Sequence, residues 1–252
     1  MFDLSSLEIT LALLFFVVAI LYSSVGHAGA SGYLAAMALL GFAPEHMRPT
    51  ALALNILVGS IGIFRFYRAG LIDYKKVLPF VIASAPCAFF AAKYPIAKEH
   101  YSLLLGLFLI AAALAVFKSA LTLRKSESDS PLRAISWPIA AVVGATIGVV
   151  SGLTGTGGAI FLTPLLLFFR WTHTREASGV SVAFVFINSL TALAGLWKAG
   201  ASFPDSLPVW LMAVAVGALI GTQLGIHRLP VRGLRFALSI VLLIAAGKLL
   251  FS

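Results

Sequence analysis

"GLTGTGGAIFLTPLLL", from Gly152 to Leu167, is the stretch on which the reading of the whole chain turns. Its glycines are spaced as in a nucleotide-binding loop, yet it carries no charge. A P-loop requires a strand, then G-x-x-x-x-G-K-[ST], then a helix. Here Ala159 follows Gly157-Gly158 where the lysine belongs, and the preceding sequence is an apolar helix. The dinucleotide fingerprint G-x-G-x-x-G fails too, because Ile160 stands where its last glycine would. What remains is a glycine-rich turn joining two apolar segments.

Composition says what surrounds that turn. Of 252 residues, 60% are hydrophobic and 11% charged, with a mean hydropathy of +1.02. Soluble domains carry about 25% charged residues, so this chain lacks the charge to cover a water-facing surface. An all-α polytopic membrane protein is expected. The net charge of +9 does not point to nucleic acid. The basic residues are spread through short connections, as the positive-inside rule predicts, and no basic stripe interleaves with aromatics. The single cysteine, Cys87, excludes an internal disulfide and a cysteine-built metal site, and is expected to be a small buried core residue. There are no paired carboxylates within a span, no H-E-x-x-H, and no nucleophile with its base. No enzyme activity, cofactor or metal is expected. Asp3 and Glu8 occupy the region where a cleaved signal peptide would carry lysine or arginine, so the first apolar segment is expected to be retained.

Charges and turn residues divide the chain into ten apolar segments, at roughly 8–25, 28–43, 48–67, 76–93, 101–121, 134–152, 156–170, 175–197, 206–226 and 233–251. The second and seventh are short for a crossing of ~20 residues. They are either short, tightly linked spans or half-helices meeting inside the membrane. With the N-terminus outside, the inward connections carry Arg65, Arg68, Lys75, Lys76, Lys118, Arg124, Lys125, Arg133, Arg170, Arg175, Arg228, Arg232 and Arg235. The outward ones carry only Arg48, Lys93, Lys98, Lys198 and Lys248. This bias places both termini outside and the polar linker "RKSESDSPLR", Arg124–Arg133, in the cytoplasm.

The linker separates two related halves, residues 1–123 and 134–252. "YRAG" at Tyr67–Gly70 is echoed by "WKAG" at Trp197–Gly200, 130 residues later. Leu78-Pro79 corresponds to Leu207-Pro208, and "LIAA" at Leu109–Ala112 recurs at Leu243–Ala246. The glycine turn has its own partner, Gly26-His27-Ala28-Gly29 against Gly155-Thr156-Gly157-Gly158, 129 residues apart. Five segments per half is an odd number, so the second half enters the membrane upside down. Inverted repeats of this kind are a common plan of secondary transporters, with the substrate held near the midplane between the halves.

All nine acidic residues fall at segment ends or in connections. Intramembrane ionisable groups are functional by default, so a carboxylate-lined cation path is not expected. An anionic or neutral substrate, bound by dipoles instead of full countercharges, is. A half-helix that begins within the membrane presents unpaired backbone N–H groups and a partial positive charge. Glycine lets that backbone turn sharply and approach a ligand. The expected substrate-binding residues are Gly26, His27, Gly29 and Ser31 at the first turn, and Thr154, Gly155, Thr156, Gly157 and Gly158 at the second. Asn55, Asn188 and Ser189 complete the set, with Ser23 and Ser24 as further donors. The competing reading of the glycines is close helix packing, which suits Gly217 and Gly221; that of the asparagines is an interhelical hydrogen bond. His27 is the one histidine away from a connection and is a candidate for proton coupling, against a neutral imidazole bonded to a local carbonyl. Pro86 and Pro164 should kink the fourth and seventh segments.

"GLTGTGGAIFLTPLLL", its weaker copy "GHAGASGYLAAMALLG", and the aromatic-basic-x-Gly turns "YRAG" and "WKAG" resemble the sulfite exporter TauE/SafE family of membrane permeases, over nearly the whole chain. The resemblance implies transport of small sulfur-containing or organic anions, such as sulfite, sulfonates, sulfoacetate or thiosulfate, across a bacterial inner membrane. The first turn departs from the glycine-richer pattern with His27 and Ala28. The expected function is therefore anion transport by alternating access between the two turns. An anion channel and a non-transporting accessory subunit are the alternatives. The expected partners are a small anion and membrane lipid, with no nucleic acid; homo-oligomerisation stays open.

Overall fold

The structure is a computed structural model that describes residues 5–24, 26–121, 132–226 and 232–251. Residues 124–131 of the polar linker, Asp3 and Arg228 lie outside the described residues. The described residues form ten helices: α1 (Ser6–Ser23), α2 (Ala30–Leu39), α3 (Pro44–Arg68), α4 (Tyr74–Lys93), α5 (Lys98–Leu121), α6 (Trp137–Thr154), α7 (Ala159–Phe168), α8 (Thr174–Lys198), α9 (Leu207–Ile226) and α10 (Arg232–Phe251). No strand occurs among the described residues.

The helix boundaries follow local chemistry. Ser5 and Glu8 form a capping box at α1: the Ser5 N–H donates to the Glu8 carboxylate at 2.8 Å, and the Ser5 hydroxyl accepts from the Glu8 N–H at 3.3 Å. Pro44 opens α3 in the first turn, where its missing N–H costs nothing. The two aromatic-basic-x-Gly turns end α3 and α8 in the same way. Gly70 and Gly200 have φ of 69° and 85°, and each following residue donates back across the turn, Leu71 to the Phe66 carbonyl and Ala201 to that of Leu196.

Among the described residues, seven helices (α1, α3, α4, α5, α6, α8 and α9) are long and apolar enough to cross a membrane. The surface agrees with lipid as the solvent. Ile82, Phe90, Val142 and Met212 face outward, and Tyr67, Tyr74, Tyr94, Trp137 and Trp197 stand exposed at helix ends, where aromatic belts form. The predicted segments 28–43 and 156–170 contain helices of only ten residues each, α2 and α7. At 1.5 Å per residue these are ~15 Å long, half of a ~30 Å hydrocarbon core.

Helix lengths recur in order: 18, 10, 25, 20 and 24 residues from α1 to α5, then 18, 10, 25, 20 and 20 from α6 to α10. Packing recurs as well. α4 lies along α6 and α1 along α9, while α5 pairs with α10 and α3 with α8. Gly144, Gly148 and Gly152 of α6 press against the Phe80, Ser84 and Ala88 carbonyls of α4, leaving no room for a Cβ. Gly217 and Gly221 of α9 do the same against the carbonyls of Phe16 and Ile20 on α1. This is the small-residue packing expected of helices in lipid. Cys87 departs from its expected place in the core. It is half-buried and lines an open apolar groove of about 600 Å³ between α4, α5 and α6.

Candidate substrate site

Each ten-residue helix starts at a left-handed glycine that offers no side-chain cap: Gly29, φ 110°, before α2, and Gly158, φ 82°, before α7. First-turn N–H groups without a side-chain cap are the donors that the glycine turns were expected to supply. The turns dock on different partners. Gly155 packs on the backbone of Arg48 in α3, and Gly157 on Asn55 of α3 and Ser189 and Val185 of α8. Gly26 packs on Ser178 of α8. Both turns therefore meet one side of α8, the first near Ser178 and Ser181, the second near Val185 and Ser189, at helical i, i+3 and i+4 spacing.

Around the second turn the polar groups are fully buried. Asn55, Ser189 and Thr154 have 0% exposure and Thr156 has 6%; Asn188, next to Ser189 in α8, also has 0%. The Asn55 amide donates to the Ser189 hydroxyl at 3.2 Å and to the Thr156 carbonyl at 3.4 Å. The Thr154 and Thr156 hydroxyls share a hydrogen bond of 2.8 Å, and Tyr101 of α5 donates to the Thr154 carbonyl at 3.2 Å. Within this set, Asn55 Oδ1 and both amide atoms of Asn188 make no hydrogen bond. Buried polar atoms are nearly always paired, and a neutral amide left unpaired costs about 1–3 kcal/mol. The interhelical bond that would explain Asn188 as a packing residue is thus not made.

The first turn forms a separate polar cluster. His27 Nε2 lies 3.2 Å from the Thr163 hydroxyl of α7, which is 2.7 Å from the Ser181 hydroxyl of α8. Ser31 is turned to the Tyr22 hydroxyl at 2.7 Å, and Tyr33 donates to the Ala28 carbonyl at 2.9 Å. Ser23 and Ser24 bond carbonyls of α1, those of Ala19 and Leu21. His27 Nε2 thus reaches a side chain of another helix.

In sequence Arg48, the first residue of the third predicted segment, counts only as an outward charge. It lies inside α3, partly buried, and its Nη2 donates to the Ala92 carbonyl at 3.0 Å and the Gly152 carbonyl at 2.7 Å. These are last-turn carbonyls of α4 and α6, so one cation joins three helices beside the Gly155 turn. A full countercharge thus stands next to a turn that was expected to work by dipoles alone. Tyr101, Thr163 and Ser181 were also missed. A single hydroxyl in an apolar helix gives no signal of which neighbour it faces. For Arg48 a signal existed: Pro44 with Glu45 behind it marks a helix start and puts Arg48 inside.

An all-helical bundle with buried polar turns and a lipid-facing apolar surface is a polytopic membrane protein. The sulfite exporter TauE/SafE family profile matches residues 11–249, and the chain belongs to that family. It is 40% identical to the probable membrane transporter protein y4hK of Sinorhizobium fredii, over 96% of this chain and 98% of that protein. It is 28% identical to the probable membrane transporter protein YdhB of Bacillus subtilis, over 84% of this chain and 86% of that one. YjnA of the same organism, another probable membrane transporter protein, is 24% identical over 97% of this chain and all of its own length. No solved structure matches the chain.

Proposed function

We propose that this protein is a secondary transporter of small sulfur-containing anions, of the sulfite, sulfonate or thiosulfate class, working by alternating access around a site between the two glycine turns. One observation carries the reading. Fully buried Asn188, next in α8 to the Ser189 that packs on Gly157, retains an amide N–H donor without a hydrogen-bond partner, and the first-turn N–H groups of α7 have no side-chain cap. Amide and backbone N–H donors together suit an oxyanion, and neither carries a charge that the bilayer would penalise. The family supports the substrate class, since its description names a sulfite exporter.

Two inverted halves, 1–123 and 134–252, joined by the cytoplasmic linker 124–133, supply the frame for alternation. The recurrence of helix lengths supports this, as does one pair of contacts: exchanging the halves carries Gly26 on Ser178 onto Gly155 on Arg48. Both termini lie on the outer side of a bacterial inner membrane, in keeping with the lysine and arginine bias. His27 couples transport to protons through the Thr163–Ser181 hydroxyl chain.

The test is flux. Purified protein in liposomes, assayed with sulfite, thiosulfate, methanesulfonate and sulfoacetate, is expected to move at least one of them with saturable kinetics. Folded protein that moves none overturns the reading.

A further inference from the structure

We propose that Arg48 is an anion ligand of the site: its guanidinium binds the substrate's oxygens at the α3 end of the Gly155–Gly158 turn and selects anions over neutral solutes. The inference rests on the transport reading above and adds a full positive charge to it.

The turn is laid along one stripe of α3. A Cβ on Gly155 would sit 3.0 Å from Arg48 Cα, and one on Gly157 would sit 2.7 Å from Asn55 Nδ2. Seven residues are close to two helical turns, so Arg48 and Asn55 share a face and stand about 10 Å apart along it. The glycine turn therefore runs along α3 from the backbone of Arg48 to the carboxamide of Asn55, and the Arg48 guanidinium holds the Gly152 carbonyl three residues before Gly155.

The guanidinium is only partly committed. Nη2 holds the carbonyls of Ala92 and Gly152, while Nε is buried and has no hydrogen-bond partner. A planar fork of five donors matches an oxyanion in a way that a point charge does not. The two carbonyls are exchangeable partners, because helix ends also accept from water. The related position in the other half is Ser178, against Gly26. The cation is therefore one-sided.

The competing role is a helix cap, since a cation stabilises helix C-termini. A cap affects folding but not the apparent affinity for a charged solute, and this separates the two. In a Cys87→Ala background, Arg48→Cys is reconstituted and flux is measured with whichever of sulfite, thiosulfate, methanesulfonate and sulfoacetate the wild type moves. KM is expected to rise about ten- to hundredfold, as for a lost charged hydrogen bond. Methanethiosulfonate ethylammonium, which restores a positive charge, should bring KM back, and neutral methyl methanethiosulfonate should not. An unchanged KM, or equal rescue by both reagents, overturns the proposal while leaving the transport reading intact. No flux in the wild type overturns both. Should Arg48→Cys not fold, Arg48→Lys keeps a charged cap without the fork; its KM must still rise, and an unaltered value refutes direct binding.

Discussion

Gly157 rests on Asn55: with a φ of 73° the backbone turns there, and a Cβ would lie 2.7 Å from the Asn55 amide nitrogen and 2.8 Å from the Ser189 hydroxyl. Gly70 has nearly the same φ, 69°, but has no atom within 4 Å of a built Cβ. The pair separates backbone strain from crowding of the site. Gly157→Ala and Gly70→Ala should each lose about 1–2 kcal/mol of stability from the left-handed backbone, and Gly157→Ala about 1–3 kcal/mol more from overpacking, since its Cβ would run into Val185 Cγ2. Only Gly157→Ala should also lower flux in liposomes, about tenfold or more if one hydrogen bond to substrate is lost. Equal flux in the two variants would reduce the turn to packing.

Asn188 gives a sharper test, because the packing and ligand readings differ in sign. A bonded intramembrane asparagine contributes about 0.6–2 kcal/mol. Asn188, buried and bonded through neither amide atom, should contribute nothing of that kind. Asn188→Leu is expected to leave the unfolding temperature in detergent unchanged or raised, while flux falls. A destabilised variant that transports normally would make Asn188 a packing residue.

His27 should be needed for coupling and not for binding. His27→Gln can keep a hydrogen bond to Thr163 but cannot take up a proton. Anion exchange at equilibrium should persist in this variant, whereas uphill movement driven by an imposed pH gradient should vanish. Wild-type flux that ignores the gradient would remove the coupling role.

The α4–α6 seam depends on small residues. A side chain on Gly148 runs into the Ser84 carbonyl, a backbone atom that cannot rotate away. Gly148→Leu should cost about 1–3 kcal/mol through overpacking, read as a lower unfolding temperature. Gly247→Leu, where nothing lies within 4 Å, should not.

Orientation can be read with single cysteines in a Cys87→Ala background. Arg68→Cys, at the end of α3, should react with an impermeant thiol reagent only from the cytoplasmic side, and Lys93→Cys, at the end of α4, only from outside. The reverse pattern would invert the predicted topology.

Much of the architecture was legible before any coordinates. The ten apolar segments correspond one to one with ten helices, because in lipid every backbone polar group must be satisfied within its own segment. The aromatic-basic-x-Gly turns marked the ends of α3 and α8, since only glycine meets the left-handed geometry there without strain. The same chemistry drew attention to Gly155–Gly158, Asn55 and Asn188. The length of α2 and α7 was less clear, because apolar residues continue past both ends of helices that stop after ten residues.

By itself, then, the sequence determined the class: a membrane-embedded helical chain with two glycine turns and its charges kept to the ends. Hydropathy, turn chemistry and charge bias are local or cumulative, and they survive without knowledge of contacts. Only the tertiary structure decided which polar groups face one another. It set Asn55 and Ser189 against Gly157, and gave His27 to Thr163 and Ser181. It also folded Arg48 back onto the carbonyl ends of α4 and α6. Those pairings join residues tens to more than a hundred positions apart, and a side chain's reach is set by how helices cross, which no spacing along one helix encodes.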